Sequence, residues 1–239
     1  MKINASDLTN HRVVTREQWL EERKALLAQE KAFTRQREEL AQRRRELPWV
    51  KVEKFYAFES PKGRETLNDL FEGRRQLVVY HFMFSPEADA GCAHCSYWAD
   101  HYDGMQAHLN QRDVTFVAVS RAPLAKIEAF KQRMGWRFKW VSSEGSDFNF
   151  DYQSSFRPTD LASGKVFYNY VEAAPVAPDR EGISVFYRDD ARNVYHTYSC
   201  YARGIDMVNG TYQFLDLVPK GRDEEPNATQ SWVRYHDKY

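Results

Sequence analysis

The sequence predicts an α/β fold, a layered α/β/α sandwich with a mixed central sheet, preceded by a long N-terminal helical extension. Three observations carry that expectation. Two continuous apolar runs of strand length, "QLVVYHFMF" (76–84) and "DVTFVAVS" (113–120), read as strands buried on both faces. Helical segments alternate with them, the pattern of a sheet with a parallel portion. Ahead of both lies an uninterrupted charged run without Gly or Pro, residues 15–47.

Taken in order, residues 1–14 read as a poorly ordered lead-in. "TREQWLEERKALLAQEKAFTRQREELAQRRREL" then reads as one helix. Thr15 and Gln18 have capping-box spacing, and Pro48 ends the run. Its apolar residues Trp19, Leu26, Leu27, Phe33, Leu40 and Leu47 recur at helical intervals, but sparsely. So polar a helix is expected as a peripheral arm, with a homodimer formed through this helix as the alternative. "RQREELAQRRREL" is a solvated charged face before it is a binding patch.

From Trp49 the pattern changes. "WVKVEKFYAF" alternates like a strand and "SPKGRETL" supplies a turn. The first buried strand is followed by a loop (85–91), the pair Cys92 and Cys95, and a helical stretch through about Asn110. After the second buried strand, "APLAKIEAFKQRMG" is a helix with Pro123 near its start and Gly135 past its end. "WVSSEGSDFNFDY" reads as a turn-rich connection, or alternatively a substrate-facing loop. Residues 157–182 have the least pattern and read as an insertion. "GISVFYRDDARNVYHTYSCYA" is a hairpin turning at 189–193, and "GIDMVNGTYQFLDLVP" a short closing helix. The polar tail from Lys220 is expected to be pinned by Trp232 and Tyr235. The expected division is therefore an extension (1–48) and one domain (49–239).

Composition narrows the function classes. Lys plus Arg and Asp plus Glu both number 34, so no net charge favours a nucleic acid or a membrane surface as partner. Aromatic residues make up 15%, which suits a β-containing core. With no apolar leader and no membrane-spanning run, a soluble, cytoplasmic protein is expected. Three cysteines are too few to staple a secreted fold.

Two of those cysteines lie in "GCAHCSYWAD" (91–100). The order buried strand, loop, Cys-Ala-His-Cys, helix, buried strand, helix, hairpin, final helix is that of a thioredoxin-like domain. It puts Cys92 at a helix N-terminus, where unpaired N–H groups stabilise a thiolate. Cys92 is thus the expected nucleophile. Cys95, one turn along, is placed to resolve a mixed disulfide, and His94 could add positive charge.

The stretches "LPWVKVEKFYAF", "VVYHFMF", "GCAHCSYWADHYDGM", "VTFVAVSRAPLAKIEAFKQRMGWRFKWVSSEGSDFNFDY", "GISVFYRD" and "HTYSCYARGIDMVNGTYQFLDLVPKGRDE" resemble the bacterial thioredoxin-like family catalogued as domain of unknown function 899. The resemblance spans nearly the whole chain. It implies a thioredoxin-like fold and a dithiol–disulfide oxidoreductase, without naming a substrate. Thioredoxins carry a cis-proline before the strand facing the dithiol; aligning "GISV" there puts Ser184 in its place.

Other residues are weighed around that pair. Ser120 and Arg121 end a buried strand and are expected to line the same crevice, Arg121 holding an anion or forming a salt bridge. Asp100 is an acid–base partner or a surface carboxylate, and Trp98 is core packing. His196 is a hydrogen-bonded strand residue, or a ligand or acid–base group. Cys200 reads as a small strand residue. Three functions compete. A redox dithiol would exchange with a disulfide or oxidised substrate and be recycled by a cellular reductant, needing no cofactor. A soft-metal site would bind Cu(I) or Zn(II) through Cys92, Cys95 and a histidine, with His94 and His196 as candidates and His81 and His101 also available. An interaction protein would carry a vestigial site.

Overall fold

The computed structural model describes residues 11–239. The expectation for residues 1–14 therefore falls largely outside the described residues; 11–15 have no regular structure. The chain divides into two compact units. One holds the extension, through Pro48, together with Phe214–Thr229; the other holds Trp49–Gln213 and Gln230–Tyr239.

In the first unit, helix α1 (Arg16–Arg45) opens with the expected capping box. The Thr15 hydroxyl accepts from the Gln18 N–H, and the Gln18 side chain accepts from the Thr15 N–H. Arg43, Arg44 and Arg45 occupy its last turn, where cations oppose the negative end of the helix dipole. None of its residues is buried.

The second unit is built on an eight-stranded mixed sheet of order β1-β10-β9-β4-β5-β6-β2-β3. Its strands are β1 (Val50–Lys51), β2 (Ala57–Ser60), β3 (Gly63–Thr66), β4 (Gln76–His81), β5 (Val114–Ser120), β6 (Lys139–Ser142), β9 (Gly182–Arg188) and β10 (Val194–Tyr201). The two apolar runs become β4 and β5, central and parallel, and β6 is parallel to β5. Strand β9 runs antiparallel to β4 and pairs with β10 in the expected hairpin. Helices α2 (Ala93–Ala99), α3 (Gln106–Gln111) and α4 (Leu124–Arg133) lie between these strands in sequence. The domain is a thioredoxin-like α/β fold.

Alternation along β4 separates two cores. Leu77 and Val79 point into a cluster with Val117, Val119, Val141, Phe148, Tyr152 and Phe186. Tyr80 points to the other face, where Tyr80, Phe82, Tyr102, Phe116, Phe130, Trp136, Phe138 and Trp140 form an aromatic network of edge and tilted contacts.

Several elements differ from expectation. "WVKVEKFYAF" is not one strand: β1 has two residues, and the chain leaves the sheet before β2. The helical stretch expected through Asn110 is broken after Ala99 and resumes as α3. Asp103 turns away to accept the N–H groups of Arg137 and Phe138, bracing the chain entering β6. "KWVS" is strand β6, and a turn of helix, α5 (Phe148–Asp151), follows it. The insertion is structured: α6 (Pro158–Ala162) leads into the hairpin β7 (Val166–Tyr168) and β8 (Val171–Ala173). The closing segment is a 3-10 turn, Ala202–Val208, and α7 (Gly210–Leu215). Within the domain, Trp232 packs edge-on to Tyr97 and Tyr235 to Phe130. No helix among the described residues is long and apolar enough to cross a membrane.

Candidate active site

Cys92 is the N-cap of α2, extended in backbone, and ten residues of loop separate it from the end of β4 at His81. Met83 braces both cysteines: its carbonyl accepts the Cys92 N–H at 3.1 Å, and its N–H donates to the Cys95 sulfur at 3.4 Å. The Cys92 carbonyl accepts from both the N–H and the hydroxyl of Ser96. Gly91 is needed for this approach. A Cβ there would meet Phe82 Cε1 at 2.7 Å and Phe130 Cε1 at 2.8 Å, and the Gly91 carbonyl accepts from the Tyr235 hydroxyl at 2.7 Å.

The two sulfurs have different environments. Cys92 is half-buried and Cys95 is buried; neither is in a disulfide. A hydrogen bond from Cys95 holds the Cys92 thiol below its ordinary pKa; burial opposes this, and the N–H groups of Cys95 and His94 add to it. Burial pushes Cys95 well above the ordinary thiol range, and the hydrogen bond to Cys92 reinforces that rise. The two shifts favour thiolate at the outer sulfur and the neutral thiol at the inner one.

The flanking candidates are distributed differently. The His94 side chain is exposed, and its backbone N–H is what acts on Cys92. Ser120 is fully buried at the end of the central strand β5, donating to the Phe82 carbonyl (2.7 Å) and accepting from the Trp140 indole (3.0 Å). Arg121 is committed to Asp179 (2.9 Å) and Ser155 (3.1 Å), which ties the insertion to the end of β5. It borders a cleft of about 270 Å³ shared with Pro86, Phe150 and Arg157. Asp100 accepts from the Trp136 indole and contacts His236 Nδ1 at 2.7 Å, so it anchors the tail. Trp98 is buried and donates to the Ile205 carbonyl. Cys200 is half-buried in β10 and outside any disulfide.

Two corrections concern histidines and the strand facing the dithiol. His81 lies on the Leu77–Val79 face of the sheet, opposite the face occupied by Tyr80. There it stacks on Phe148 and Tyr152 and heads a chain of contacts: His81 Nε2 to Ser184 Oγ, Ser184 to Ser199, and Ser199 to His196 Nε2 (2.7–2.8 Å). His196 thus joins this interior chain, away from the dithiol. His101 contacts Thr211 at 3.0 Å. Among the described residues no three His, Cys, Asp or Glu side chains are arranged to hold a metal ion. Ser184 is likewise not the residue ahead of the facing strand: it pairs with Val79 inside the sheet and is fully buried. Strand β9 begins at Gly182, so Glu181 occupies the preceding position. Sequence reasoning missed Glu181, since only the pairing of β9 with β4 brings it to the dithiol.

Fold and site define a thioredoxin-like protein with a Cys-x-x-Cys pair at the N-terminus of the helix after a central strand. The chain belongs to the family described as bacterial protein of unknown function (DUF899), whose model matches residues 8–239. A search of curated proteins gives no match. Among solved structures, the chain is similar to peroxiredoxin Q of Xanthomonas campestris, at 10% identity and TM-score 0.45 over 67% of this chain and 90% of that one. It is also similar to a putative thiol:disulfide interchange protein DsbE from Chlorobium tepidum, at 14% identity and TM-score 0.42 over 70% and 94%. Peroxidoxin BcpB from Mycobacterium tuberculosis is 16% identical, with TM-score 0.41 over 69% and 95%.

Proposed function

We propose that the protein is a thiol–disulfide oxidoreductase in which Cys92 attacks and Cys95 resolves. The asymmetry between the two sulfurs carries this reading: a half-buried Cys92 with a depressed pKa beside a buried Cys95 with a raised one. The Cys92 thiolate attacks one sulfur of a disulfide and expels the first thiol. Cys95 then loses its proton and attacks Cys92, expelling the second thiol and leaving a Cys92–Cys95 disulfide. Two electrons pass from the dithiol to the substrate, and a cellular dithiol reductant restores the pair.

The test is reversible oxidation. The pair is equilibrated in glutathione buffers of graded potential, and its state is read by mass after alkylation. A single two-electron transition, absent in Cys92→Ser and replaced by a trapped mixed disulfide in Cys95→Ser, is the expected result. A pair that stays reduced at every potential, or a Cys92 that titrates at the free-thiol value of about 8.5, would refute it. The cytoplasmic setting expected from sequence suits a pair kept reduced between turnovers.

A further inference from the structure

Resting on the dithiol reading, a second question is which disulfides the pair accepts, and strand pairing supplies the relevant group. His81 pairs with Gly182 as the last pair of β4 and β9, so Glu181 enters β9 at the same end at which Phe82 and Met83 leave β4. Of these, Met83 is the one that binds both cysteines. Gly182 itself admits no side chain, because a Cβ would meet Tyr201 Cδ1 at 2.5 Å. The Tyr168 hydroxyl donates to the Glu181 carbonyl at 2.9 Å, and the Arg180 guanidinium lies over the Tyr168 ring. The half-buried Glu181 is therefore fixed in backbone at the mouth of the site.

Glu181 is the carboxylate whose charge bears on both sulfurs. The other titratable groups bearing on them are the phenols Tyr80, Tyr102 and Tyr235, all held neutral by burial. The field of Glu181 acts on both sulfurs in the sense that opposes thiolate. The Arg180 guanidinium is stacked on Tyr168, and the other cations of this region have partners of their own. Lys126 is held by the carbonyls of Pro86 and Ala88, Arg121 by Asp179 and Ser155, and Arg133 by Asp237. Arg121 and Lys126 also offset Glu87, on the loop leading to Cys92.

We propose that Glu181 is a specificity-determining residue, making the Cys92–Cys95 pair selective for disulfides with positive charge beside the S–S bond and against anionic ones. A cationic group entering next to Cys92 meets a carboxylate that forms no ion pair within 4.0 Å among the described residues, whereas an anion is repelled. The electron and proton balance is that given above: two electrons leave the dithiol, and the substrate departs as two thiols.

The experiment is single-turnover oxidation of the reduced full chain by three probes: cystamine (dication), 2-hydroxyethyl disulfide (neutral) and dithiodiglycolate (dianion). Each rate is divided by that of free dithiothreitol with the same probe, which removes intrinsic reactivity. The cystamine-to-dithiodiglycolate ratio is expected to exceed unity by roughly tenfold at low salt and to collapse at high salt. Glu181→Gln should bring it near unity. A changed thiolate fraction in that variant speeds all three probes alike and leaves the ratio untouched. A wild-type ratio near unity overturns the proposal, as does a ratio that survives either high salt or Glu181→Gln. The wild-type salt series decides even if the variant folds poorly. Failure of the redox reading looks different: none of the three probes oxidises the pair, and this proposal falls with it.

Discussion

His81 gives the domain a defined sensitivity to acid. It is fully buried, its Nε2 contacts Ser184, and its Nδ1 has no hydrogen-bond partner. Burial, with His196 nearby, lowers its pKa to about 3 in the folded state, against about 6.5 in an unfolded chain. A base with a depressed folded pKa contributes stability that is fully present above about 6.5 and is lost as pH falls toward the folded value, because unfolding takes up a proton. Between those limits the slope is about 1.4 kcal/mol per pH unit, so moving from pH 7 to pH 5 costs about 2 kcal/mol through His81. The assay is urea unfolding at pH 7, 6 and 5 for the wild type and for His81→Asn, which should lose that part of the slope. His196, also lowered by burial, supplies a further share in both proteins. Equal slopes would refute the argument. Direct titration of the His81 ring by NMR covers a variant that folds poorly: a folded-state midpoint near 6.5 would refute it equally.

Three more outcomes are expected. Gly91→Ala forces a methyl between Phe82 and Phe130, both buried, and should cost about 1–3 kcal/mol in chemical denaturation; a change under about 0.5 kcal/mol contradicts the close approach. Cys95→Ala removes the main cause of the depressed Cys92 pKa, so the pH midpoint of Cys92 alkylation should rise, and a constant or lower midpoint contradicts the assignment. Ser120→Ala leaves the Trp140 indole N–H and the Phe82 carbonyl without their buried partner, at about 2–4 kcal/mol. Its Cys92 alkylation midpoint should not move, whereas little loss of stability together with a shifted midpoint would return Ser120 to the chemistry.

What was legible in the sequence followed local pattern. β4, β5, α4 and the β9–β10 hairpin stood out because each carries its own apolar run or turn chemistry, with Pro123 and Gly135 marking the helix ends. β6 was hidden because four residues of strand merge into "SSEGSD", where Ser and Gly signal a turn. The early end of α2 depends on Asp103 bonding backbone more than thirty residues away, at Arg137 and Phe138. No local window contains that. Ser184 was misplaced for a similar reason. "GISV" shows a strand, but only pairing with β4 fixes its first residue, and so puts Glu181 rather than Ser184 ahead of it. His81 and His196 looked like spare ligands, since a histidine in an apolar run does not reveal which sheet face it occupies.

The sheet explains why two cysteines three residues apart differ so much. Both belong to one short helix, yet Cys92 caps it at the sheet's rim while Cys95 is one turn in, beside the aromatic core where Tyr80 reaches the Cys95 carbonyl. Burial therefore sets Cys95 apart before any charge acts, and its thiol in turn hydrogen-bonds the outer sulfur and favours thiolate there. Met83 makes this division depend on β4, because one backbone unit holds the N–H of Cys92 and the sulfur of Cys95. Glu181 immediately precedes β9, the strand paired with β4 on the side away from β5. The difference between the two sulfurs is thus tied to the end of β4, through Met83, and to the depth of each sulfur beneath it.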